Sequence, residues 1–499
     1  MKRILVFDLF LITVCSGAAI FIGTDLGGWW FPVVMGIIIL WAFISLVIKM
    51  ADRSPVVIRL GHYEWTLREA CRHFLLIGGT GSGKTEGGMV NILIQLVRNV
   101  PGLGGIALDA KGDFRHVLVP IFEGHGRKDD VIILETKPMQ AGENWKPRYR
   151  VNLFSNPHLG PDKFVDWMAD ALGSFDKLSD NSFFDSRARL AIKNAMHICR
   201  LGKQPITFSA VRDFVLDKKK QASILELLRT NPQALAKPVR DWFMNVLLTE
   251  NKETYGNILS TVDGYLSHFA HAEIEEVFWS AEPNISLDDV EKGKVFLINV
   301  TRKFDTERAL INTVVKNIFY DIGLARFERH EKKRNLLVGI FDEYQNHLSA
   351  TKNGTDDAQT IDKLRAADVI ILAATQLKSS IVNRLKGEQH KASVVLGNLT
   401  NWIIFKAEDD ETAEMCAKKI GKKETQKKSR SVSAEGKVSH TYNKADEYIA
   451  KPEVLRKLRV CRCWVVHTQV NEYPPRQITL PPRKPNGEIA DWWKDPSNR

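Results

Sequence analysis

The chain begins with two apolar segments, residues 4–23 and 31–50, which are separated by a short loop that contains two tryptophans. Each segment is long enough, at about 1.5 Å per residue, to cross a bilayer core of about 30 Å. Lys2 and Arg3 precede the first segment and Lys49 closes the second, so the positive-inside rule places both ends in the cytoplasm. The pattern predicts a two-helix transmembrane hairpin; the alternative is that the first segment is a cleaved signal peptide.

Beyond residue 50 the apolar positions divide the chain into two kinds of region. Short apolar runs bounded by turn residues predict buried strands, whereas residues 157–250 carry apolar residues at helical spacing, interrupted by prolines. We therefore predict an α/β core that is interrupted by an inserted all-α domain. The predicted strands lie at 74–77, 105–109, 131–134, 295–300, 336–341, 369–374, 400–405 and 463–467. The predicted divisions are a transmembrane hairpin at 1–50, core at 51–156, the all-α domain at 157–250, core again at 251–480 and a tail at 481–499.

A phosphate-binding motif follows the first predicted strand. Residues 78–85 match the pattern GxxxxGK[ST], and a helix-compatible stretch runs from there to Arg98. The glycines allow successive backbone N–H groups to face a β-phosphate, and the helix amino terminus adds positive potential. Lys84 is expected to reach the β- and γ-phosphates, and Thr85 to bind Mg²⁺. The predicted ATP-binding residues are Gly78, Gly79, Thr80, Gly81, Ser82, Gly83, Lys84 and Thr85.

An apolar strand ending in two acids is the expected second half of such a site. The run at 336–341 ends at Asp342 and Glu343. Asp342 is expected to hold Mg²⁺ and Glu343 to polarise the attacking water. Together with the P-loop, this pattern predicts a RecA-like P-loop ATPase core that uses ATP and Mg²⁺.

Two further polar residues are candidates for catalysis. Gln376 follows the strand at 369–374, where a polar side chain would face the γ-phosphate; the alternative is a plain polar residue at a strand end. Arg365 lies just upstream, and it is either an arginine finger for a neighbouring subunit's nucleotide or a surface arginine on a helix.

The charge of the chain suits a polyanionic or membrane-surface partner. The formal net charge is +11, and a basic, serine-rich stretch runs from 418 to 439. That stretch is the best local candidate for contact with a phosphate backbone, although it lacks aromatic residues for base stacking and a solvated loop explains it equally well.

The six cysteines form no metal-type pairs, which favours reduced, buried thiols. For the tail segment 491–495, docking on a neighbouring molecule is the one interpretation we offer.

These features together resemble the coupling ATPases of type IV secretion and conjugation, the TraG/TraD-type proteins. The order of parts is similar over nearly the whole chain. Residues 107–113 resemble the family's Asp-Pro-Lys-Gly segment, with Ala110 in place of the proline, and 151–157 are similar to its Asn-Pro entry to the helical domain. Residues 257–262 resemble the Ser-Thr-containing helix that follows, and Arg365 and Gln376 lie where the family places a trans-acting arginine and a third-motif glutamine.

The resemblance implies a homohexameric ring in the bacterial inner membrane. ATP turnover would move single-stranded DNA, with its attached relaxase, toward the channel of a type IV secretion system. The membrane helices would join that channel, and the helical insertion would receive substrate complexes. The very short loop between the two apolar segments and the lack of a long acidic C-terminal extension leave the identity of the relaxosome open.

Two other functions remain open on the sequence. One is an FtsK-like DNA translocase, against which stands the lack of a long linker and of a terminal winged-helix module. The other is a nucleotide-gated docking receptor that passes protein effectors or DNA to another motor. Intact Lys84, Asp342 and Glu343 favour hydrolysis but do not show that hydrolysis is coupled to movement.

Overall fold

The computed structural model describes residues 55–109, 112–172, 182–201, 206–248, 252–267, 269–329, 334–349, 357–432 and 438–495, together with residue 36. The predicted transmembrane hairpin therefore lies outside the described residues. Among the helices of the described ranges, none combines the length and the apolarity needed to cross a bilayer.

The described residues contain all eight predicted strands and five further strands that the apolar pattern did not predict. The strands are β1 (Val56–Leu60), β2 (Tyr63–Thr66), β3 (Phe74–Ile77), β4 (Gly104–Leu108), β5 (Val131–Glu135), β6 (Val295–Asn299), β7 (Leu337–Phe341), β8 (Val369–Thr375), β9 (Asn401–Ile404), β10 (Lys422–Val432), β11 (Val438–Tyr448), β12 (Arg462–Val466) and β13 (Arg476–Thr479). The helices are α1 (Leu67–Ala70), α2 (Val90–Asn99), α3 (Arg115–Glu123), α4 (Pro161–Leu172), α5 (Ser182–Cys199), α6 (Phe208–Leu216), α7 (Lys218–Thr230), α8 (Lys237–Trp242), α9 (Lys252–Ser267), α10 (Ala272–Phe278), α11 (Asp305–Ala325), α12 (Asp357–Leu364), α13 (Lys378–Arg384), α14 (Gln389–Asn398), α15 (Asp410–Ile420), α16 (Pro452–Arg456) and α17 (Asp491–Lys494).

One large sheet forms the centre of the described structure. Its order is β13-β12-β9-β3-β8-β7-β4-β6-β5. The strands from β9 to β5 in that order are parallel, and β12 runs antiparallel to both of its neighbours. Every residue of β3, β7 and β8 is buried, as expected for parallel strands that are covered on both faces. The predicted α/β core is confirmed, and β8 lies between β3 and β7.

The helices α4 to α10 lie between β5 and β6 along the chain. Helix α9 packs against α5 and α6, so the helical region continues past the predicted boundary at residue 250 and ends at Phe278. The side-chain amide of Asn152 donates to the carbonyl of Ile206 at 2.9 Å and to that of Ser280 at 2.8 Å. Because Asn152 precedes the helices and Ser280 follows them, this buried amide ties the entry of the region to its exit.

The described residues of the basic stretch at 418–439 do not form the solvated loop that one interpretation of the sequence predicts. Its first lysines end α15, residues 422–432 form β10, and Val438 and Ser439 begin β11, which pairs with β10 in a separate antiparallel two-stranded sheet. The pair joins the core at its base, where Ile449 N–H donates to the Gly421 carbonyl at 3.0 Å. Residues 422–432 pair one by one with residues 438–448, and such cross-strand pairing is not visible in either segment alone.

The C-terminal tail packs against the chain to which it belongs, so it is not available only for docking on a neighbouring molecule. Residues 480–495, which we call the C-terminal strap, follow β13 and carry α17. Trp493 is buried at 5 % exposure, and the indole N–H of Trp492 donates to Glu86 Oε2 at 3.1 Å. Glu86 lies directly after the phosphate-binding motif, so the strap reaches the predicted nucleotide site.

A fully buried ion pair holds α11, α12 and the chain after β7 together. Lys316 Nζ lies 2.5 Å from Asp357 Oδ2 and also donates to the carbonyl of His347 at 2.6 Å. The hydroxyls of Tyr320 and Tyr344 donate to Asp357 Oδ1 at 2.8 and 3.0 Å. Burial alone would raise the pKa of Asp357, but the Lys316 ammonium and these donors lower it. The pair therefore remains ionised inside the protein.

We expect Lys316→Met to lower the free energy of unfolding by about 3–5 kcal/mol, because the variant leaves a carboxylate buried without its cation. Chemical denaturation followed by circular dichroism measures this change. The matched control is Lys237→Met, which removes an exposed ion pair to Asp241 and is expected to cost far less. Equal losses in both variants would contradict the role given to the buried pair.

Candidate nucleotide site

The phosphate-binding loop follows β3 at the carboxyl edge of the parallel sheet. Gly81 and Gly83 have φ values of +71° and +93°, in the left-handed region that favours glycine. A Cβ at Gly83 would lie 2.6 Å from Cys461 Sγ and 3.0 Å from the Cys461 backbone nitrogen. The Cys461 N–H in turn donates to the Ser82 carbonyl at 2.9 Å. The loop is therefore fixed both by its own backbone and by the segment that precedes β12.

The polar groups of this loop suit a phosphate chain. The Lys84 ammonium is buried and donates to the carbonyl of Gly79 at 3.0 Å, so it is held over the loop. Ser82 Oγ is buried and has no hydrogen-bond partner within the part of the chain that the structure describes. Buried polar atoms are almost always satisfied, so an orphaned hydroxyl inside a phosphate-type loop fits an anionic ligand.

The acidic pair lies at the end of β7, two strands away from the loop. Asp342 and Glu343 are both buried, at 7 % and 6 % exposure. Glu343 has φ 50° and ψ 54°, a left-handed conformation that costs a non-glycine residue about 1–3 kcal/mol. Such strain persists only where the surroundings fix it, and here it turns the carboxylate toward the neighbouring strand end.

A chain of hydrogen bonds connects the loop to the acid. Thr80 Oγ1 donates to Gln376 Oε1 at 3.1 Å, and Gln376 Nε2 donates to Glu343 Oε1 at 2.7 Å. On the other side, Gln345 Nε2 donates to Glu343 Oε2 at 2.8 Å, and its Oε1 accepts from Thr375 at 2.9 Å. The structure thus brings Thr80, Gln376 and Glu343 together, and both oxygens of Glu343 are held by amides.

The donor set also suits a magnesium ion. Thr85 lies in the helical turn Lys84–Met89 that leads from the loop into α2, and Asp342 directly follows β7 at the same edge of the sheet. A hydroxyl and a carboxylate are hard oxygen ligands, and Mg²⁺ bound with phosphates uses few of them. Among the described residues there is no cluster of three or more histidine, cysteine or acidic side chains that would hold a metal by itself. A metal here would therefore share its coordination with phosphate oxygens.

Arg365 is not brought to this edge of the sheet. It lies in the turn Arg365–Ala367, directly before β8 begins, whereas Gln376 follows the end of that strand. Seven residues of strand separate the two ends by about 20 Å at roughly 3.3 Å per residue. Within one chain Arg365 does not reach the site, and a role there requires a second copy.

Sequence reasoning missed three supports of the site. Gln345 follows the acidic pair by two residues, which is a visible signal, since a third polar residue after such a strand is close enough to act. His347 and Cys461 gave no signal, because a lone histidine or cysteine is usually a core residue. His347 Nε2 donates to the carbonyl of Asp342 at 3.0 Å and so holds the turn after β7.

Two buried histidines are kept neutral. Burial, with the nearby Lys316 cation, lowers the pKa of His347 to about 3. Burial also lowers the pKa of His73 to about 4 at the start of β3, where Nδ1 accepts from the Ile371 N–H and Nε2 donates to the Ile361 carbonyl. In His347, Nε2 donates to the Asp342 carbonyl and Nδ1 accepts from the Asn312 amide at 3.5 Å. Each ring therefore has one donor and one acceptor role, which only the neutral imidazole can fill.

The strand order, the loop and the amide-held acid define a P-loop protein with a RecA-like core. The chain belongs to the family of type IV secretory system conjugative DNA transfer proteins, whose sequence model matches residues 47–460. A comparison with curated proteins found no significant match.

The fold is similar to solved structures of the bacterial conjugative coupling protein TrwB. The unbound TrwBdeltaN70 is 14 % identical, with a TM-score of 0.60 over 90 % of this chain and 92 % of that chain. TrwB in complex with ADP and Mg²⁺ is 13 % identical, with a TM-score of 0.58 over 89 % and 94 % of the two chains. TrwB with a non-hydrolysable ATP analogue is 15 % identical, with a TM-score of 0.58 over 90 % and 93 %. At these identities the likeness shows a shared fold.

We expect the free energy of unfolding to fall as the pH is lowered from 6.5 toward 4. The unfolded histidines bind protons near pH 6.5 and the folded ones do not, so each histidine removes about 1.4 kcal/mol per pH unit. Denaturant titrations at pH 7, 6 and 5 measure this slope. In His347→Gln the fall in the free energy of unfolding per pH unit should be smaller by about 1.4 kcal/mol, the contribution of one histidine, whatever the variant's stability at pH 7. A slope equal to wild type would show that His347 is not held neutral.

Proposed function

We propose that the chain is an ATP-dependent coupling protein that moves single-stranded DNA, with an attached relaxase, into a type IV secretion channel. Membership in the conjugative DNA transfer family supports the DNA cargo. The observation that carries ATP turnover is the chain of hydrogen bonds from Thr80 through Gln376 to Glu343. That chain connects the phosphate-binding loop directly to the carboxylate that would orient water.

Each residue of the nucleotide site has a separate role in ATP binding or hydrolysis. The Gly78–Thr85 loop and the Lys84 ammonium bind the phosphates, while Thr85 and Asp342 hold Mg²⁺, which neutralises charge on the phosphate oxygens. Glu343 orients the attacking water and accepts its proton. Gln376 contacts both the loop and Glu343, so loss of the γ-phosphate would be felt at the carboxylate.

Structures of related proteins support a nucleotide as the ligand, whereas the oligomeric state is left to be tested. TrwB has been solved with ADP and Mg²⁺ and with ATP and GTP analogues, and the same ligands fit the polar loop described above. We infer a homohexamer in the bacterial inner membrane, anchored by the segments at 4–23 and 31–50. In such a ring Arg365 would complete a neighbour's site, since it does not reach its own.

We assign contact with DNA to the strand pair β10–β11. Its register pairs Lys428 with Tyr442 and Gln426 with Lys444, and pairs of this kind share one face of a two-stranded sheet. Tyr442 is 61 % exposed, so an aromatic ring lies on the same face as basic positions of the opposite strand. The aromatic component that the basic stretch lacks is thus supplied across the pair, and single strands bind such surfaces by stacking and by phosphate contact.

Two variants separate nucleotide binding from turnover. Lys84→Ala is expected to weaken ATP affinity by about 10- to 100-fold, because it removes a charge-assisted hydrogen bond to phosphate. Glu343→Gln is expected to keep wild-type affinity and to lower turnover about 100-fold or more. Calorimetry and phosphate release, with and without single-stranded DNA, measure both.

The same variants decide between motor and receptor in cells. A donor strain lacking its own coupling ATPase should transfer DNA with the wild-type chain and not with Lys84→Ala. Full turnover in Glu343→Gln would remove its role as the base. Wild-type ATPase activity that DNA does not stimulate would instead favour a docking receptor.

We expect Tyr442→Ala to weaken binding of a labelled single-stranded oligonucleotide by about 1–3 kcal/mol, with Tyr442→Phe near wild type. Lys428→Ala should instead reduce the slope of log affinity against log salt by about 0.7. Fluorescence anisotropy across a salt series measures both. Val454→Ala, an exposed apolar position off the strand pair, is the control. A change in salt slope alone in Tyr442→Ala would argue against stacking.

A further inference from the structure

The C-terminal strap lies along the start of the helix that follows the phosphate-binding loop. The N–H of Arg483 donates to the Glu86 carbonyl at 3.1 Å, and the Asn91 amide donates to the Pro481 carbonyl at 3.1 Å. The Trp492 indole donates to the Glu86 carboxylate at 3.1 Å. Because Glu86 directly follows Thr85, the strap contacts the first turn beyond the phosphate and magnesium residues.

Two adjacent tryptophans of the strap have different environments. Trp493 is 5 % exposed, whereas Trp492 is 40 % exposed. Their ring centroids are 5.6 Å apart and their planes meet at 90°. Trp493 therefore anchors the strap, while a substantial part of the Trp492 ring remains accessible beside Glu86.

The strap is held in place by contacts of its own. Lys484 and Lys494 both pair with Asp491, at 2.5 and 2.7 Å, and together they hold the pKa of Asp491 at about 2. The Ala490 N–H donates to the Pro482 carbonyl at 2.9 Å. A ring that is already positioned loses little conformational entropy when a ligand stacks on it.

The strand order shows on which side of the loop this ring lies. Glu343 and Gln376 mark the γ-phosphate end of the site, toward β8 and β7. A phosphate chain that runs from there over the loop to the helix start leaves its nucleoside on the opposite side, toward β9 and β12. The strap lies on that side, since the Leu480 N–H donates to the carbonyl of Cys461, the residue before β12.

We propose that Trp492 is a nucleobase-binding residue whose indole stacks on the base of the bound nucleoside triphosphate. The inference rests on the proposed nucleotide function and adds the part of the ligand that the loop does not contact. Stacking is worth more for a larger ring, so the site favours purine over pyrimidine nucleotides. Since stacking makes no hydrogen bonds to the edge of the base, Trp492 by itself does not distinguish adenine from guanine.

The test compares two ligands that share phosphates and differ in the base. The full-length protein in detergent is titrated with ATP and with inorganic tripolyphosphate by calorimetry. Trp492→Ala is expected to weaken ATP binding by about 5- to 100-fold and to leave tripolyphosphate binding within twofold of wild type. Trp492→Phe, which keeps a stacking ring and loses the indole N–H, is expected to retain most of the ATP affinity. In the wild type CTP is expected to bind more weakly than ATP, and Trp492→Ala should narrow that difference.

The matched control is Phe327→Ala, which removes a ring of similar exposure, 43 %, after α11 and away from the loop. It should bind both ligands as the wild type does. Unchanged ATP affinity in Trp492→Ala would overturn the assignment of the base. Equal losses for ATP and tripolyphosphate would also overturn it, since the strap would then act on the phosphate loop through Glu86. A wild-type protein that binds no ATP would overturn the proposed function itself, and this inference with it.

Discussion

The site depends on the order of three parallel strands. Because β8 lies between β3 and β7, the side chain that follows β8 is the one that can touch both the loop after β3 and the acid after β7. Gln376 occupies that position and bonds to Thr80 and Glu343. Any change that displaced β8 would separate the phosphate-binding loop from the carboxylate, so the burial of this strand on both faces is also a condition for the proposed hydrolysis.

Hydrogen bonds around Glu343 hold its strained backbone in place. The left-handed backbone at this residue is fixed by two amides on its carboxylate and by His347 on the carbonyl of Asp342. The carbonyl of His347 in turn accepts from Lys316, whose charge is neutralised by Asp357. The buried ion pair and the strained acid therefore belong to one continuous polar network. Through it the fully buried Lys316 ammonium is connected to the turn that carries Glu343.

Peripheral elements add the contacts that a sheet edge lacks. The C-terminal strap lies beside the loop on the side away from Glu343, and the pair β10–β11 extends from the far end of α15 with Tyr442 exposed. The helical region between β5 and β6 is closed at its base by Asn152. The strap and Asn152 each join segments that are distant along the chain, whereas β10 and β11 are neighbours in sequence.

The sequence alone determined the class of core, the phosphate-binding loop and the acidic pair, because these are local patterns in which strand, turn and helix are adjacent along the chain. It also predicted that the polar Gln376 follows a buried strand, which is where the structure has it. Tertiary structure decided that Gln345 shares the carboxylate of Glu343, that Cys461 packs against Gly83 and that Trp492 reaches Glu86. It also placed Arg365 at the opposite edge and turned the basic stretch into a strand pair. The contacts of Cys461 and Trp492 in particular depend on tertiary packing, because they join residues that lie hundreds of positions apart and no local spacing encodes them.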